Sequence, residues 1–346
     1  MLVFRNFMSG VHAMSTVLQV ENLRTHFFTK AGVVKAVDDV SFSIDKGQIL
    51  GLVGESGSGK SMTGYSIMGL IDPPGRVIEG RIVLNGQDVT GHSGEQWRSL
   101  RGNRVAMIFQ DPMMTLNPVL RIDTQMIEAI TAHEKISQDA ARERCRNALS
   151  QVGIPSPDER LMAYPHQFSG GMRQRVAIAI ALLNKPDLII CDEPTTALDV
   201  TIQGQILYEM QKLCRESGTA LMWITHDLSV VAGLADYVAV MYAGKIVEQG
   251  ATAELLDHPL HPYTKGLLDS VPSRNVKGQP LKQIPGMTPS LLKIGSGCAF
   301  RERCSRRASE CEVAPPFTSP ASPDSNASRK VRCFHPHLEA EMVLSA

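Results

Sequence analysis

The chain has 346 residues, and its 35 basic and 35 acidic side chains cancel to a formal net charge of zero. A balanced charge leaves no electrostatic footprint for nucleic acid, so we expect no nucleic-acid partner. The longest clean apolar stretch, residues 176–183, is far too short to cross a bilayer, and any membrane association should come through partner subunits.

The N-terminus gives no sign of export. Residues 1–11 carry one arginine, no sustained apolar core and no small-residue cleavage pattern, which argues against a secretory signal. Met14 is an alternative to Met1 as the starting residue. The length of the chain suits one large α/β domain with an inserted helical subdomain and a C-terminal appendage.

A glycine-rich loop follows the first fully apolar segment. Residues 49–53 come after a turn at 45–47, so we predict a buried parallel strand that delivers the chain into the loop. The loop fits the P-loop pattern, in which backbone N–H groups and a new helix face phosphate oxygens. Its residues are the expected nucleotide ligands: Gly54, Glu55, Ser56, Gly57, Ser58, Gly59, Lys60 and Ser61.

Within this loop, two side chains have separate tasks. We expect the Lys60 ammonium to neutralise the β and γ phosphates of a nucleotide. We expect the Ser61 hydroxyl to bind Mg²⁺, which prefers hard oxygen ligands. The alternative is a glycine-rich turn that has no ligand.

Two later strands end in side chains that suit the same metal. Asp192 ends the apolar segment 188–191, and a strand buried on both faces places its last side chain at the edge of the sheet beside the P-loop. We expect Asp192 to hold the Mg²⁺ water shell. Gln110 follows the strand 105–109, and its amide is suited to report the γ phosphate or Mg²⁺.

Three polar residues are candidates for the chemistry: Gln110, Glu193 and His226. Glu193 follows Asp192 and points the other way, so it is placed to polarise an attacking water. His226 follows the apolar strand 220–225 and is a candidate sensor of the γ phosphate. The alternatives are a solvated acidic turn before Pro194 and an ordinary surface or core histidine.

The segment Phe-Ser-Gly-Gly-Met at 168–172 lies between the P-loop and the acidic strand. With these motifs in this order, the chain resembles the ATP-binding subunit of ABC transporters over roughly residues 17–250. The matching motifs are the Walker A loop at 54–61, Q-loop Gln110, signature Ser169, Gly170 and Gly171, Walker B at 188–192 with Glu193, D-loop 197–199 and H-loop His226.

The resemblance implies an α/β fold of the P-loop NTPase, ABC type. It implies a RecA-like core with an antiparallel β subdomain over 17–250, a helical subdomain inserted at about 111–180, an N-terminal extension at 1–16 and a C-terminal extension at 251–346. It also implies a head-to-tail dimer, in which Ser169 and Gly171 close over ATP held by the partner's P-loop. A helix that begins near Gly171 would offer free N–H groups and a positive dipole to that anion.

The family also places an aromatic side chain on the adenine. Phe28 is the candidate here, with Phe27 beside it, because both precede the small turn at 30–32. The alternative is that both belong to the alternating pattern of an edge strand.

Three segments look like the dipeptide/oligopeptide/nickel importer branch of the family: 110–118, 164–175 and His-Pro-Tyr-Thr at 261–264. This resemblance implies an ATP-hydrolysing importer subunit on the cytoplasmic face of the inner membrane. The implied partners are two transmembrane permeases, a second ATP-binding subunit that is a paralogue or an identical copy, and, indirectly, a solute-binding protein. The permeases would contact the segment after the Q-loop.

Two other classes compete with an importer. A soluble ABC-type ATPase of DNA repair or translation needs a long coiled coil, a second cassette or a basic surface, and the sequence has none of these. A P-loop kinase or GTPase would leave the signature at 169–171 and His226 without a role.

Four of the seven cysteines cluster in a polar tail: Cys298, Cys304, Cys311 and Cys333. Four thiols in a segment too polar to build a core indicate a metal or cluster site. Their spacing does not match a zinc ribbon or a ferredoxin, and a reducing cytosol disfavours disulfides. The motif at 297–304 resembles that of the peptide-importer branch, which implies a [4Fe–4S] cluster; zinc and free thiols remain the alternatives.

Overall fold

The computed structural model describes residues 16–111, 115–195, 198–275, 277–320 and 329–337. The expected N-terminal extension up to residue 15, with Met14, lies outside them, as do residues 112–114 after the Q-loop and Ala197 of the D-loop. The strands are β1 (Thr16–Thr29), β2 (Gly32–Asp45), β3 (Ile49–Val53), β4 (Gly75–Leu84), β5 (Gln87–Asp88), β6 (Val105–Ile108), β7 (Leu188–Asp192), β8 (Ala220–Thr225), β9 (Tyr237–Tyr242), β10 (Lys245–Ala251) and β11 (Lys330–Val331). The helices are α1 (Lys60–Ile67), α2 (Gly94–Leu100), α3 (Ile122–Thr131), α4 (Gln138–Gln151), α5 (Pro157–Leu161), α6 (Gly170–Leu182), α7 (Val200–Ser217), α8 (Leu228–Leu234), α9 (Thr252–Asp257) and α10 (Pro262–Asp269).

A seven-stranded sheet forms the centre of the fold, in the order β11-β10-β9-β3-β8-β7-β6. The five strands from β9 to β6 are parallel, whereas β10 and β11 are antiparallel to their neighbours. Every residue of β3, β7 and β8 is buried, as expected for parallel strands covered on both faces. The carboxyl ends of β3, β8, β7 and β6 therefore lie side by side at one edge.

A four-stranded antiparallel sheet, in the order β2-β1-β4-β5, packs on one face of the central sheet. Leu50 and Leu52 of β3 share an apolar core there with Leu18 of β1 and Ile44 of β2. This arrangement confirms the α/β fold with an antiparallel sheet that the sequence predicts.

Helices cover the opposite face of the central sheet. Ile189 and Cys191 of β7 pack on this face with helices α3 to α7. They alternate along β7 with the residues that face the antiparallel sheet. Helix α4, which lies within the region expected to hold the inserted helical subdomain, is capped by the Ser137 hydroxyl. In the part of the chain that the structure describes, no helix combines the length and apolar character needed to span a bilayer.

Described residues that follow β10 pack against the central sheet. Helices α9 and α10 and the Phe300 ring share an apolar core with β3 and β9, and β11 pairs with β10. Glu248 of β10 is fully buried, and its carboxylate accepts the N–H groups of Leu260 and His261 at 2.8 Å each and the Arg329 guanidinium at 3.2 Å. Burial raises the pKa of Glu248, although these donors act in the opposite direction.

His261 makes the stability of this region sensitive to acid. Its ring is buried at the start of α10, where Nδ1 accepts the Tyr263 N–H at 3.0 Å. Burial, together with nearby His337, lowers the pKa of His261 to about 3. The unfolded chain, with a histidine pKa of about 6.5, takes up the proton first. The free energy of unfolding should therefore fall as the pH drops below about 6.5, by up to about 1.4 kcal/mol per pH unit.

We predict that His261→Asn, which keeps an oxygen to cap α10, weakens this pH dependence. Calorimetric Tm values measured between pH 7 and pH 5 should fall less steeply in the variant than in the wild type. His258→Asn, at an exposed position, is the control and should keep the wild-type slope. Equal slopes for His261→Asn and wild type would show that His261 is not neutral in the folded protein.

Candidate active site

The P-loop connects the carboxyl end of β3 to the first turn of α1, and two glycines are required by its tight path. A Cβ on Gly54 would lie 2.1 Å from the Met241 carbonyl oxygen. Gly59 has φ +103°, and a Cβ there would lie 2.2 Å from the Ala36 carbonyl oxygen. Any larger residue at either position would displace backbone, so the loop can close this tightly only with glycine.

Lys60 is held inside the loop that it serves. Its side chain is buried, and Nζ donates to the carbonyl oxygens of Gly54 at 2.8 Å and Glu55 at 3.0 Å. Burial lowers the pKa of Lys60, while the carboxylates of Glu193, Asp192 and Glu55 act in the opposite direction. The carbonyl oxygens of the loop thus hold the Lys60 ammonium within the P-loop.

Two of the three expected magnesium ligands, Ser61 and Asp192, meet at the edge of the sheet. The Ser61 hydroxyl donates to Asp192 Oδ1 at 2.9 Å, and burial raises the pKa of the Asp192 carboxyl. Both side chains supply hard oxygen donors, which are the ligands that Mg²⁺ prefers, so the residues present fit this ion.

Glu193 is the centre of a second polar group. His226 Nδ1 lies 3.0 Å from Glu193 Oε1, and the Gln110 amide nitrogen donates to Glu193 Oε2 at 3.3 Å. The backbone of Glu193 has φ +47°, in the left-handed region that non-glycine residues rarely adopt. The side chains of Glu193, His226 and Gln110 all line the same cleft as Lys60 and Ser61. The structure thus brings together the three residues that the sequence nominates for chemistry.

The cleft has a volume of about 910 Å³, and one wall is apolar. Phe27, Val34 and Ala36 supply part of this wall. Phe28, the first candidate for the adenine contact, is 41% exposed and does not line the cleft; the Arg76 guanidinium lies over its ring, 4.4 Å from the ring centre. Alternation along β1 turns Phe27 inward and Phe28 outward, so Phe27 is the aromatic side chain of the cleft.

Two further wall residues had no signal in the sequence. Leu267 of α10 and Leu291 come from the C-terminal region, more than two hundred positions after the P-loop. Isolated leucines are common, and only the packing of this region on the central sheet brings them to the nucleotide cleft.

The signature segment lies elsewhere. The Ser169 hydroxyl accepts the Met172 N–H at 3.3 Å and so caps α6, whose first two residues, Gly170 and Gly171, are exposed or half-buried. None of the described residues that line the cleft comes from this segment. Within one chain, Ser169, Gly170 and Gly171 are therefore separate from the P-loop.

The four tail cysteines converge on one small cavity. Cys298, Cys304, Cys311 and Cys333 all line it, and the Cys298 N–H donates to the Cys311 carbonyl oxygen at 2.9 Å. All four are free thiols, and burial raises the pKa of Cys333 to about 12. Among the described residues, however, no group of three or more His, Cys, Asp or Glu side chains is arranged as a metal site. The donor chemistry fits a metal, but the arrangement is not that of a finished ligand set.

The fold and the cleft define a P-loop nucleoside triphosphatase. A family model described as "ABC transporter" matches residues 37–196, and one described as "Oligopeptide/dipeptide transporter, C-terminal region" matches residues 247–311.

Curated relatives extend over most of the chain. The dipeptide transport ATP-binding protein DppD of Bacillus subtilis is 50% identical, over 88% of this chain and 91% of its own length. The oligopeptide transport ATP-binding protein OppD of Escherichia coli is 45% identical, over 92% of this chain and 93% of its own. The chain belongs to this family of ABC transporter ATP-binding proteins, in its oligopeptide/dipeptide branch, and is an ATPase.

Solved structures show the same fold. A dimeric ATP-binding cassette, MJ0796, bound to ADP and phosphate in a post-hydrolysis state, aligns with a TM-score of 0.62 and 25% identity. The alignment covers 68% of this chain and 98% of that one. The cbiO1 protein of Clostridium perfringens, part of an ABC transporter complex, aligns with a TM-score of 0.59.

We predict that Glu193→Gln separates binding from chemistry. The amide keeps the shape of the side chain but cannot take a proton from water, so the hydrolysis rate should fall by about 10²–10⁴-fold. ATP affinity, measured by titration calorimetry, should stay near the wild-type value. Glu95→Gln, at an exposed position in α2, is the matched control. Substantial turnover by Glu193→Gln would remove Glu193 from its role as the base.

Proposed function

We propose that this chain is the ATP-hydrolysing subunit of an importer for dipeptides, oligopeptides or a related small solute. The observation that carries the proposal is the cleft itself, where Lys60, Ser61, Asp192 and Glu193 meet at one sheet edge. The match of residues 247–311 to the transporter C-terminal region supports the solute class. A soluble ATPase of DNA repair or translation would not account for that match.

ATP binding and hydrolysis use separate groups in this cleft. Lys60 and the loop N–H groups bind the β and γ phosphates, and the apolar wall with Phe27 accepts the base. Ser61 and Asp192, with Gln110 nearby, would hold Mg²⁺, which neutralises phosphate charge when bound. Glu193 polarises the attacking water. His226 contacts the Glu193 carboxylate and senses the γ phosphate.

The signature segment acts on a second chain. The N-terminus of α6 is not among the described residues that line its own chain's cleft, yet it has an exposed glycine and a serine, which suit a phosphate. Ser169, Gly170 and Gly171 therefore cap the nucleotide of a partner ATPase in a head-to-tail dimer. That partner is a paralogue or a second copy of this chain.

The chain works within a membrane complex. Two permease subunits contact the surface after Gln110, at the cytoplasmic face of the membrane, and a solute-binding protein is engaged only indirectly. The units of the chain in this proposal are an ATPase domain at 17–250, a helical insertion at about 111–180 and a C-terminal extension at 251–346.

The C-terminal extension holds a metal through its cysteines. Cys298, Cys304, Cys311 and Cys333 share one cavity, and four thiolates suit a [4Fe–4S] cluster. Zinc is the competing occupant. Either group would order the tail rather than take part in ATP hydrolysis.

The dimer and the transport function are tested together in proteoliposomes that hold the permeases, both ATPase subunits and the binding protein. We predict that Ser169→Arg abolishes ATP-driven uptake of a labelled dipeptide, because the arginine obstructs the partner's nucleotide. ATP affinity of the isolated chain should be unchanged. Ser93→Arg, at the cap of α2, is the matched control and should leave uptake intact. Uptake by Ser169→Arg at the wild-type rate would contradict the dimer.

For the tail, we predict a brown protein with broad visible absorbance after anaerobic purification. Cys333→Ser should lose the colour, while Cys214→Ser, a buried cysteine of α7, should keep it. Colourless wild-type protein with stoichiometric zinc would exclude the cluster and favour the zinc site.

A further inference from the structure

Residues of the C-terminal region bind Glu55, the first residue of the P-loop that has a side chain. Arg303 donates to both carboxylate oxygens of Glu55, from Nη1 at 2.6 Å and from Nη2 at 3.0 Å. The Thr288 hydroxyl donates to Glu55 Oε2 at 2.9 Å, and the Glu55 N–H donates to the Tyr263 hydroxyl at 2.9 Å. All three partners lie far from the loop in sequence, so Glu55 is held from its side chain and its backbone by one separate region.

Arg303 is itself fixed in place. Its side chain is only 6% exposed, and its guanidinium lies against the rings of Tyr242 and Phe300. Its Nε donates to the Pro285 carbonyl oxygen at 2.9 Å. A planar guanidinium locked in this way presents a two-pronged donor in one orientation, which suits it to position a carboxylate rather than only to balance its charge.

Glu55 is in turn hydrogen-bonded to groups of the P-loop that are expected to bind phosphate. The Glu55 carbonyl oxygen accepts the Ser58 N–H at 3.2 Å and the Lys60 ammonium at 3.0 Å. Arg303, Thr288 and Tyr263 thus hold the same residue whose carbonyl oxygen accepts hydrogen bonds from the turn of the loop and from Lys60. A shift of Glu55 would move both groups that bind the triphosphate.

The ion pair between Glu55 and Arg303 also affects the charge of the cleft wall. Glu55 lines the cleft, and an unpaired carboxylate there would repel the anionic triphosphate. Hydrogen bonds from Arg303 lower the pKa of Glu55, so this side chain is ionised at neutral pH and depends on Arg303 for compensation.

We propose that Arg303 is a positioning residue of the nucleotide site: it anchors Glu55, and through it the P-loop, and cancels the Glu55 charge beside the triphosphate. Arg303 directly precedes Cys304, so the anchor of Glu55 lies beside the cysteine segment in the chain. The proposal depends neither on the transported solute nor on what the cysteines bind.

The test is a double-mutant series read by ATP affinity. Arg303→Gln should weaken ATP binding about ten-fold or more, measured by calorimetry on the full chain, because it loses charge-assisted hydrogen bonds and exposes the Glu55 charge. In steady-state hydrolysis, the KM for ATP should rise while kcat changes less than about two-fold. Adding Glu55→Gln to Arg303→Gln should recover part of the affinity, because the uncompensated carboxylate is gone.

Arg301→Gln is the matched control. Arg301 lies in the same short turn but pairs with Glu302 and Glu312, so its loss should leave ATP affinity unchanged. Thermal melting without nucleotide shows whether each variant is folded. ATP affinity of folded Arg303→Gln equal to that of Arg301→Gln would overturn the proposal. Weaker ATP binding by the double variant than by Arg303→Gln alone would also overturn it. That result would show that the unpaired Glu55 charge is not what weakens ATP binding in Arg303→Gln.

Discussion

The burial of the Lys60 ammonium inside the P-loop is the interaction on which the rest of the site depends. A buried charge is costly unless donors and acceptors meet it closely, and here the carbonyl oxygens of Gly54 and Glu55 accept from it. Those carbonyls can approach only because the loop turns tightly, which in turn requires glycine at 54 and 59. The tight turn that shapes the loop for phosphate therefore also fixes the position of Lys60.

The order of the strands in the central sheet brings the other polar residues of the site together. Because β8 and β7 follow β3, with β6 next, the polar residues after these strands reach a single edge. Asp192 meets Ser61, while Glu193 is engaged by both His226 and Gln110. Asp192 and Glu193, the proposed metal ligand and the proposed water-activating residue, are consecutive in the chain, and yet their side chains have different partners.

The C-terminal region is a structural part of the nucleotide site. It packs on the central sheet, supplies Leu267 and Leu291 to the cleft wall and holds Glu55 through Arg303. The buried Glu248 carboxylate and Arg329 secure the end of this region beside β10. A tail that sequence reasoning treats as an appendage is therefore positioned to influence ATP binding.

Local sequence determined the P-loop, the buried strands and the polar residue at the end of each, because these depend on glycine, apolar runs and spacing over a few positions. The order of these motifs also carried the resemblance to the ATP-binding subunit of ABC transporters. Tertiary structure alone decided that Phe27 rather than Phe28 faces the cleft, since the register of β1 against β2 and β4 sets which side is covered. It alone brought Arg303 to Glu55, because a contact across 248 positions depends on how two regions pack and leaves no local pattern.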